Sequence, residues 1–293
     1  MIEVKPLNPE FFAEISGVDL SRPVDPDTAG EIVAALDRYA VVVFHDQVLD
    51  DDQQIAFSRL LGPLETTRQA HRPGVKLRLN PHVSDISNLD ENSRVLTGAD
   101  YRRMSGLANQ LWHTDSSFKP TPAKYSLLSA RILPSWGGET QFADLRAAYD
   151  ALPETMKARL EGLVAEHSIF NSRALIGFTD FTDAERAALP PVPQVMVRVH
   201  PGSGRKTLYL ASHIGAIAGM PVPEARMLAF DLIEHATQPQ FVHTHHWRVG
   251  DLVIWDDRCT MHRGRPYDLS EVRELHRTTV ADVAPTVEQA LSA

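Results

Sequence analysis

Hydrophobic positions along the chain change period several times, and each change marks an element. In the run TAGEIVAALDRYA behind Asp27, Ile32, Val33, Leu36 and Tyr39 recur at helical spacing, which predicts a helix capped by Asp27. The run passes into Ala40-Val41-Val42-Val43-Phe44, a continuous apolar stretch that predicts a strand buried on both faces. A second helix is predicted from Asp51 to Leu61, with Ile55, Phe57, Leu60 and Leu61 inward and Gly62-Pro63 as its stop. Three more follow over Asp144–Leu152, Pro153–Leu163 and Pro223–Thr237, from Asp144 as a cap and from prolines in first turns.

After the second helix, runs rich in β-branched and aromatic residues alternate with turn residues. They are Tyr125–Leu133, Thr140–Ala143, Val195–His200, Thr207–Ala211, Phe241–Trp247, Leu252–Trp255 and Leu275–Val280. Short strands in that number with peripheral helices predict a mainly β fold, a double-sheeted jelly roll. The stretches 65–110 and 168–193 carry little periodicity, and loops that long in a compact domain are usually functional or mobile. No repeat, low-complexity tract or Pro/Gly-rich linker divides the chain, so one domain over residues 1–293 is expected.

Charge and composition then remove whole classes of function. With 29 Lys+Arg against 38 Asp+Glu the net charge is −9, and no basic stripe marks a nucleic-acid partner. No run approaches the length of apolar residues that spans a bilayer, and MIEVKPLNPEFF lacks the layout of a secretory leader. A cytoplasmic protein with no membrane partner is expected, and homo-oligomerisation stays open. Cys259 is the only cysteine, so no intrachain disulfide can form.

Thirteen histidines remain to be weighed. His113 and Asp115 lie two apart in Leu111-Trp112-His113-Thr114-Asp115, which puts both on one face of an extended strand. Side chains paired that way can take adjacent corners of an octahedral metal, and a third neutral imidazole would complete a face with three positions open. His262, behind the apolar run Leu252-Val253-Ile254-Trp255, is the best candidate for it. Taken alone, it reads more readily as a partly buried, hydrogen-bonded core histidine. Arg273 and Arg277 follow at spacings that put both on one face of a returning strand. Their guanidinium forks would suit two anionic ligands in one cavity.

These residues resemble the Fe(II)/2-oxoglutarate-dependent dioxygenases of the taurine/2,4-dichlorophenoxyacetate dioxygenase family, and most of all its aryloxyalkanoate branch. The resemblance runs over residues 3–283. It is carried by NQLWHTDSSF at 109–118, GGETQFADLRAAYDALP at 137–153, HPGSGRK at 200–206, EHAT at 234–237, GDLVIWDDRCTMHRG at 250–264 and RELHRTT at 273–279. It implies a jelly roll, with His113, Asp115 and His262 as iron ligands. Thr140 and Arg273 would hold the distal carboxylate of 2-oxoglutarate, Arg277 would meet the acid of the primary substrate, and Asn109 would line that site. The implied cofactors are Fe(II), 2-oxoglutarate as cosubstrate and O2. The implied substrate is a small carboxylate.

The sequence departs from the taurine branch at about Thr67 and Ala70, where that branch has a His and a Tyr contacting substrate, so taurine is not the expected substrate. Arg68, His71, Arg72 and Lys76 in the same loop could supply a second carboxylate contact. Phe170, Phe178 and Phe181 offer apolar surface for an aromatic ring, or pack the loop against the barrel. His243, His245 and His246 alternate between strand faces and make a poor zinc set. Packing is the default for His167, His200, His213 and His235, with His200 and His213 the two expected nearer the substrate. Gly202-Ser203-Gly204-Arg205-Lys206 lacks the frame of a phosphate loop and reads as a hairpin turn. The rival readings are a sibling dioxygenase acting on a phenoxypropionate, sulfonate or alkyl sulfate, and a non-catalytic jelly-roll protein that binds a small ligand.

Overall fold

Alternation within the apolar strands builds a separate core on each face of one large sheet. The computed structural model describes residues 1–67, 76–98 and 100–291. Strands are numbered here in chain order. The large sheet contains β1 (Glu3–Pro6), β2 (Ala13–Ser16), β3 (Val41–Phe44), β4 (Ser84–Ser87), β5 (Ala123–Ile132), β13 (Leu252–Asp256) and β15 (Glu274–Ala281), in the order β1-β2-β3-β13-β5-β15-β4. A three-stranded sheet joins β6 (Thr140–Asp144), β12 (Val242–His245) and β14 (Thr260–Gly264), with β6 in the middle. A second unites β7 (Val164–His167), β8 (Val192–Val195) and β11 (Ile214–Ile217), and a ribbon pairs β9 (Val197–Val199) with β10 (Lys206–Leu208).

Outward-facing Val42, Phe44, Tyr125, Leu127, Leu252, Ile254 and Val280 pack with Ile32, Leu36, Phe57 and Leu61 of helices Pro26–Tyr39 and Asp51–Leu61. The alternate residues Val41, Val43, Leu128, Val253, Trp255 and Leu275 face inward onto Phe142 of β6. Trp255 is fully buried, and burying a side chain of that size stabilises the fold by roughly 3 kcal/mol. Beyond the smaller sheet, Ala143 and Met261 join a third core with helices Leu145–Asp150 and Val222–Ala236. Helix, sheet, sheet, helix is the layering of a jelly roll with its helices outside.

Several boundaries differ from the sequence expectation. The first helix is capped by Asp25, whose carboxylate accepts the Thr28 amide at 2.9 Å, because Pro26 takes the first helical position and leaves Asp27 inside the turn. The second helix runs Asp51–Leu61 as expected, with a capping box made by Asp50 and Gln53, but Leu60 is 49% exposed. Strands β1, β2, β7, β8, β11 and β14 were not predicted; four or five residues each give too little alternation to register as a period. The two aperiodic stretches contain β4 and helices Tyr101–Gly106, Ile169–Ala174 and Asp183–Ala188. No helix among the described residues is long and apolar enough to cross a membrane.

One titratable contact ties the large sheet to its outer helices. His276 of β15 places Nδ1 2.6 Å from Asp51 and Nε2 3.0 Å from Glu274, which also accepts from Arg78. Burial alone would lower the imidazole pKa, but the two carboxylates outweigh burial and Arg131, and it rises above 6.5. A folded pKa above the unfolded one adds stability that is complete below the unfolded value and is lost as pH rises through the folded one. His276→Gln should therefore lower the melting temperature by several degrees near about pH 6 and far less near about pH 9. Thermal unfolding across pH checks this; an equal drop at both ends would show that the charge contributes nothing.

Candidate active site

The site is assembled by a backbone contact between two distant segments. His113 and His262 form an antiparallel bridge, with His113 N–H donating to His262 O at 3.0 Å and His262 N–H to His113 O at 2.8 Å. Thr114 points the other way and donates to Leu210 O and Thr260 O, so His113 and Asp115 share a face. Ser116 then takes a left-handed conformation and ends the extended run. Asp115 is fixed twice, its own N–H reaching Asp257 Oδ1 at 3.0 Å and its Oδ2 accepting from Ser126 Oγ at 2.9 Å.

One ligand-type atom from each of His113, Asp115 and His262 lies within 4.8 Å of the others, and all three residues are buried. His113 Nδ1 lies 2.8 Å from Leu111 O, so it carries the proton and leaves the Nε2 lone pair facing Asp115. Burial pushes the His113 imidazole pKa down; burial and then the neighbouring His113 push His262 down further. Burial works against the Asp115 carboxylate, but Arg277 and then both histidines hold its pKa below the usual range. Two neutral imidazoles and one carboxylate are the donor set of a divalent metal with open positions.

The cavity in front of this face has a volume of about 340 Å³, and Asn109, Thr140, Arg273 and Arg277 also line it. Arg273 is buried and donates from Nη2 to Gly138 O at 3.1 Å, with its guanidinium 5.2 Å from the Tyr267 ring. No carboxylate pairs with it among the described residues, and its Nε finds no acceptor there. Gly138, at φ +76°, leaves it room, since a Cβ there would stand 3.0 Å from Nε. Thr140 Oγ1 accepts from Trp247 Nε1 at 3.0 Å and keeps its own proton to donate. Arg277 of β15 faces inward like Leu275, and Arg273, just before the strand, lines the same cavity, as the spacing predicts. Its Nη1 contacts both oxygens of Asp115, at 2.6 and 2.7 Å.

Other predicted residues fall elsewhere. Lys76, Thr67 and His213 line the cavity, while Arg68, Ala70, His71 and Arg72 lie outside the described residues. Phe170, Phe178 and Phe181 do not line it; Phe181 stands edge-on to both Phe170 and Phe178, and Arg186 lies over Phe170 and Phe181, so they pack the loop. His200 is buried away from the cavity with Asp256 and Cys259, a grouping whose donors are already used. Its Nε2 meets Asp256 at 2.9 Å and its Nδ1 meets Ser203, while Arg258 clasps Asp256 and burial keeps the Cys259 thiol protonated. His243 stacks on Phe12, with burial lowering its pKa to about 4, and His245 bonds Asp251. Sequence reasoning missed Ser126, Asp257, Tyr267 and Trp247. Asp257 lies within the motif at 250–264 but carries no signal of its role, and folding brings each of the four to the site from a different segment.

Residues 3–279 match the family described as taurine catabolism dioxygenase TauD, TfdA family. The chain belongs to this family. It is 46% identical over 289 residues to the alpha-ketoglutarate-dependent 2,4-dichlorophenoxyacetate dioxygenase of Cupriavidus pinatubonensis, covering 97% of this chain and 99% of the relative. It is 39% identical over 301 residues to the (S)-phenoxypropionate/alpha-ketoglutarate-dioxygenase of Sphingobium herbicidovorans, covering 99% and 98%. Among solved structures, the crystal structure of AAD-2 in complex with Mn(II) and N-oxalylglycine superposes with a TM-score of 0.90 at 48% identity, covering 98% of each chain. The jelly roll and the 2-oxoglutarate-dependent dioxygenase class implied by the sequence therefore hold.

If the three converging side chains hold the metal, His113→Ala and Asp115→Ala should each abolish retention of Fe(II) and turnover together. Metal content after gel filtration, measured beside 2-oxoglutarate decay, checks both. Activity like that of the wild type in either variant would overturn the ligand set.

Proposed function

We propose that this chain hydroxylates the carbon next to the ether oxygen of aryloxyacetates such as 2,4-dichlorophenoxyacetate, giving a phenol, glyoxylate, succinate and CO2. One domain spanning the chain would carry the activity, in the cytoplasm. The observation that carries the reading is a single cavity holding a metal-type donor face and a buried arginine with no carboxylate partner among the described residues. Similarity along the whole chain to a 2,4-dichlorophenoxyacetate dioxygenase supports the substrate class.

Fe(II) bound by His113, Asp115 and His262, with 2-oxoglutarate, supplies the oxidation: O2 is consumed, 2-oxoglutarate becomes succinate and CO2, and a substrate C–H becomes C–OH. The residues of the chain orient and enclose. Arg273 and the free proton of Thr140 hold the distal carboxylate of 2-oxoglutarate, and Tyr267 and Gly138 keep the guanidinium in place before the ligand arrives. Trp255 and Phe142 pack against the His262 ring and keep its side of the site dry. Arg277 meets the acid of the substrate, and Asn109 lines the same cavity. Hydroxylation next to an ether oxygen makes a hemiacetal, which breaks to phenol and glyoxylate without further help from the protein.

Arg273→Ala should raise the KM for 2-oxoglutarate, with a loss of about 2–5 kcal/mol in kcat/KM, because a buried carboxylate is left unpaired. Steady-state kinetics in 2-oxoglutarate decide this; an unchanged KM would remove Arg273 from the cosubstrate site.

Substrate class is tested by comparing phenol release from 2,4-dichlorophenoxyacetate, with stoichiometric succinate, against sulfite release from taurine. Phenol should dominate. Robust sulfite without phenol would move the chain to the sulfonate reading and leave the metal site standing.

A further inference from the structure

We infer that Arg277 couples the metal to the acid end of the substrate, weakening metal binding at Asp115 until an acidic ligand neutralises it. The inference rests on the site reading proposed above. Arg277 Nη1 already contacts both oxygens of the carboxylate that the metal must use. A divalent cation there would share one anion with a guanidinium in a buried, water-poor site, and two cations so placed repel.

An outer hydrogen bond to a ligand can also strengthen metal binding by orienting that ligand. Here orientation does not depend on Arg277. Ser126 Oγ holds Asp115 Oδ2, and Asp257 holds the Asp115 backbone N–H. Removing Arg277 therefore takes away a charge more than it frees a ligand, and the metal gains. The guanidinium also has donors to spare, since its buried Nε finds no acceptor among the described residues. An incoming carboxylate that pairs with the guanidinium lowers its repulsion of the metal. By linkage, the metal must then tighten the acid by the same factor.

The test is Mn(II) binding without O2 or 2-oxoglutarate, followed by the electron paramagnetic resonance signal of free Mn(II), with and without phenoxyacetate. In the wild type, phenoxyacetate should tighten Mn(II) several-fold. Arg277→Gln should bind Mn(II) about tenfold tighter than wild type, the size outer-shell changes commonly have, and ignore phenoxyacetate. Arg277→Lys keeps the charge and should stay near wild type without the acid. A Gln variant that folds and binds Mn(II) no tighter than wild type would overturn the inference. Should that variant fail to fold, a wild type that turns over phenoxyacetate yet shows no change in Mn(II) affinity overturns it instead. If phenoxyacetate is not turned over, the substrate reading fails, and the Gln variant, or the Lys variant if Gln does not fold, decides the coupling alone. A Lys variant that binds Mn(II) much tighter than wild type would count against the charge argument.

Discussion

Two backbone hydrogen bonds between His113 and His262 fix everything else at this site. A bridged residue pair cannot shift by one position without turning its side chains to the other face, so the bridge sets both imidazoles at once. Asp115 follows, two residues along the same extended run. The buried chain from β13 into β14 delivers His262, and its rigidity comes from Trp255 and Val253 packing on Phe142 between the sheets. Placing three ligand-type atoms within 4.8 Å therefore needs no help from side-chain freedom, and little entropy is lost when a metal binds.

Charge at the site is arranged against stability. Asp115 and Arg273 are buried, and one of them has no ionic partner among the described residues. A buried guanidinium without a carboxylate costs several kcal/mol unless hydrogen bonds and a ring face offset it. Gly138 O and Tyr267 offset part of that cost, which leaves an arginine poised for an anion. Asp257 shows the same tension. Burial and then the Asp115 charge raise its pKa, while its Oδ1 accepts from the Asp115 backbone N–H.

What the sequence made legible follows from how far each signal reaches. His113 and Asp115 were legible because two-residue alternation is local, and Arg273 with Arg277 because a four-residue offset keeps one strand face. His262 was ambiguous alone, because nothing within its own strand says that it bridges to a residue 149 positions earlier. Ser126 and Asp257 were invisible for the same reason: strand pairing and the turn after β13 bring each to Asp115, and hydrophobic period encodes neither. Burial misled in the other direction at His200. A polar residue within a family motif looked close to the substrate, while Asp256 and Ser203 satisfy it deep in the core.

The same division separates chemistry from selectivity. The donor face, Thr140 and Arg273 stand on or beside strands of the two packed sheets, whose alternating cores hold them. Tyr101, Leu107, Asn109 and Ile169, which also line the cavity, come from short helical segments inside the two stretches where the hydrophobic pattern gave no period. Loop segments of this kind can change sequence more freely than the sheets that carry the donor face. That is why the donor face of this site could be read from motifs, while the shape of the rest of the cavity depends on residues whose positions only the folded chain reveals.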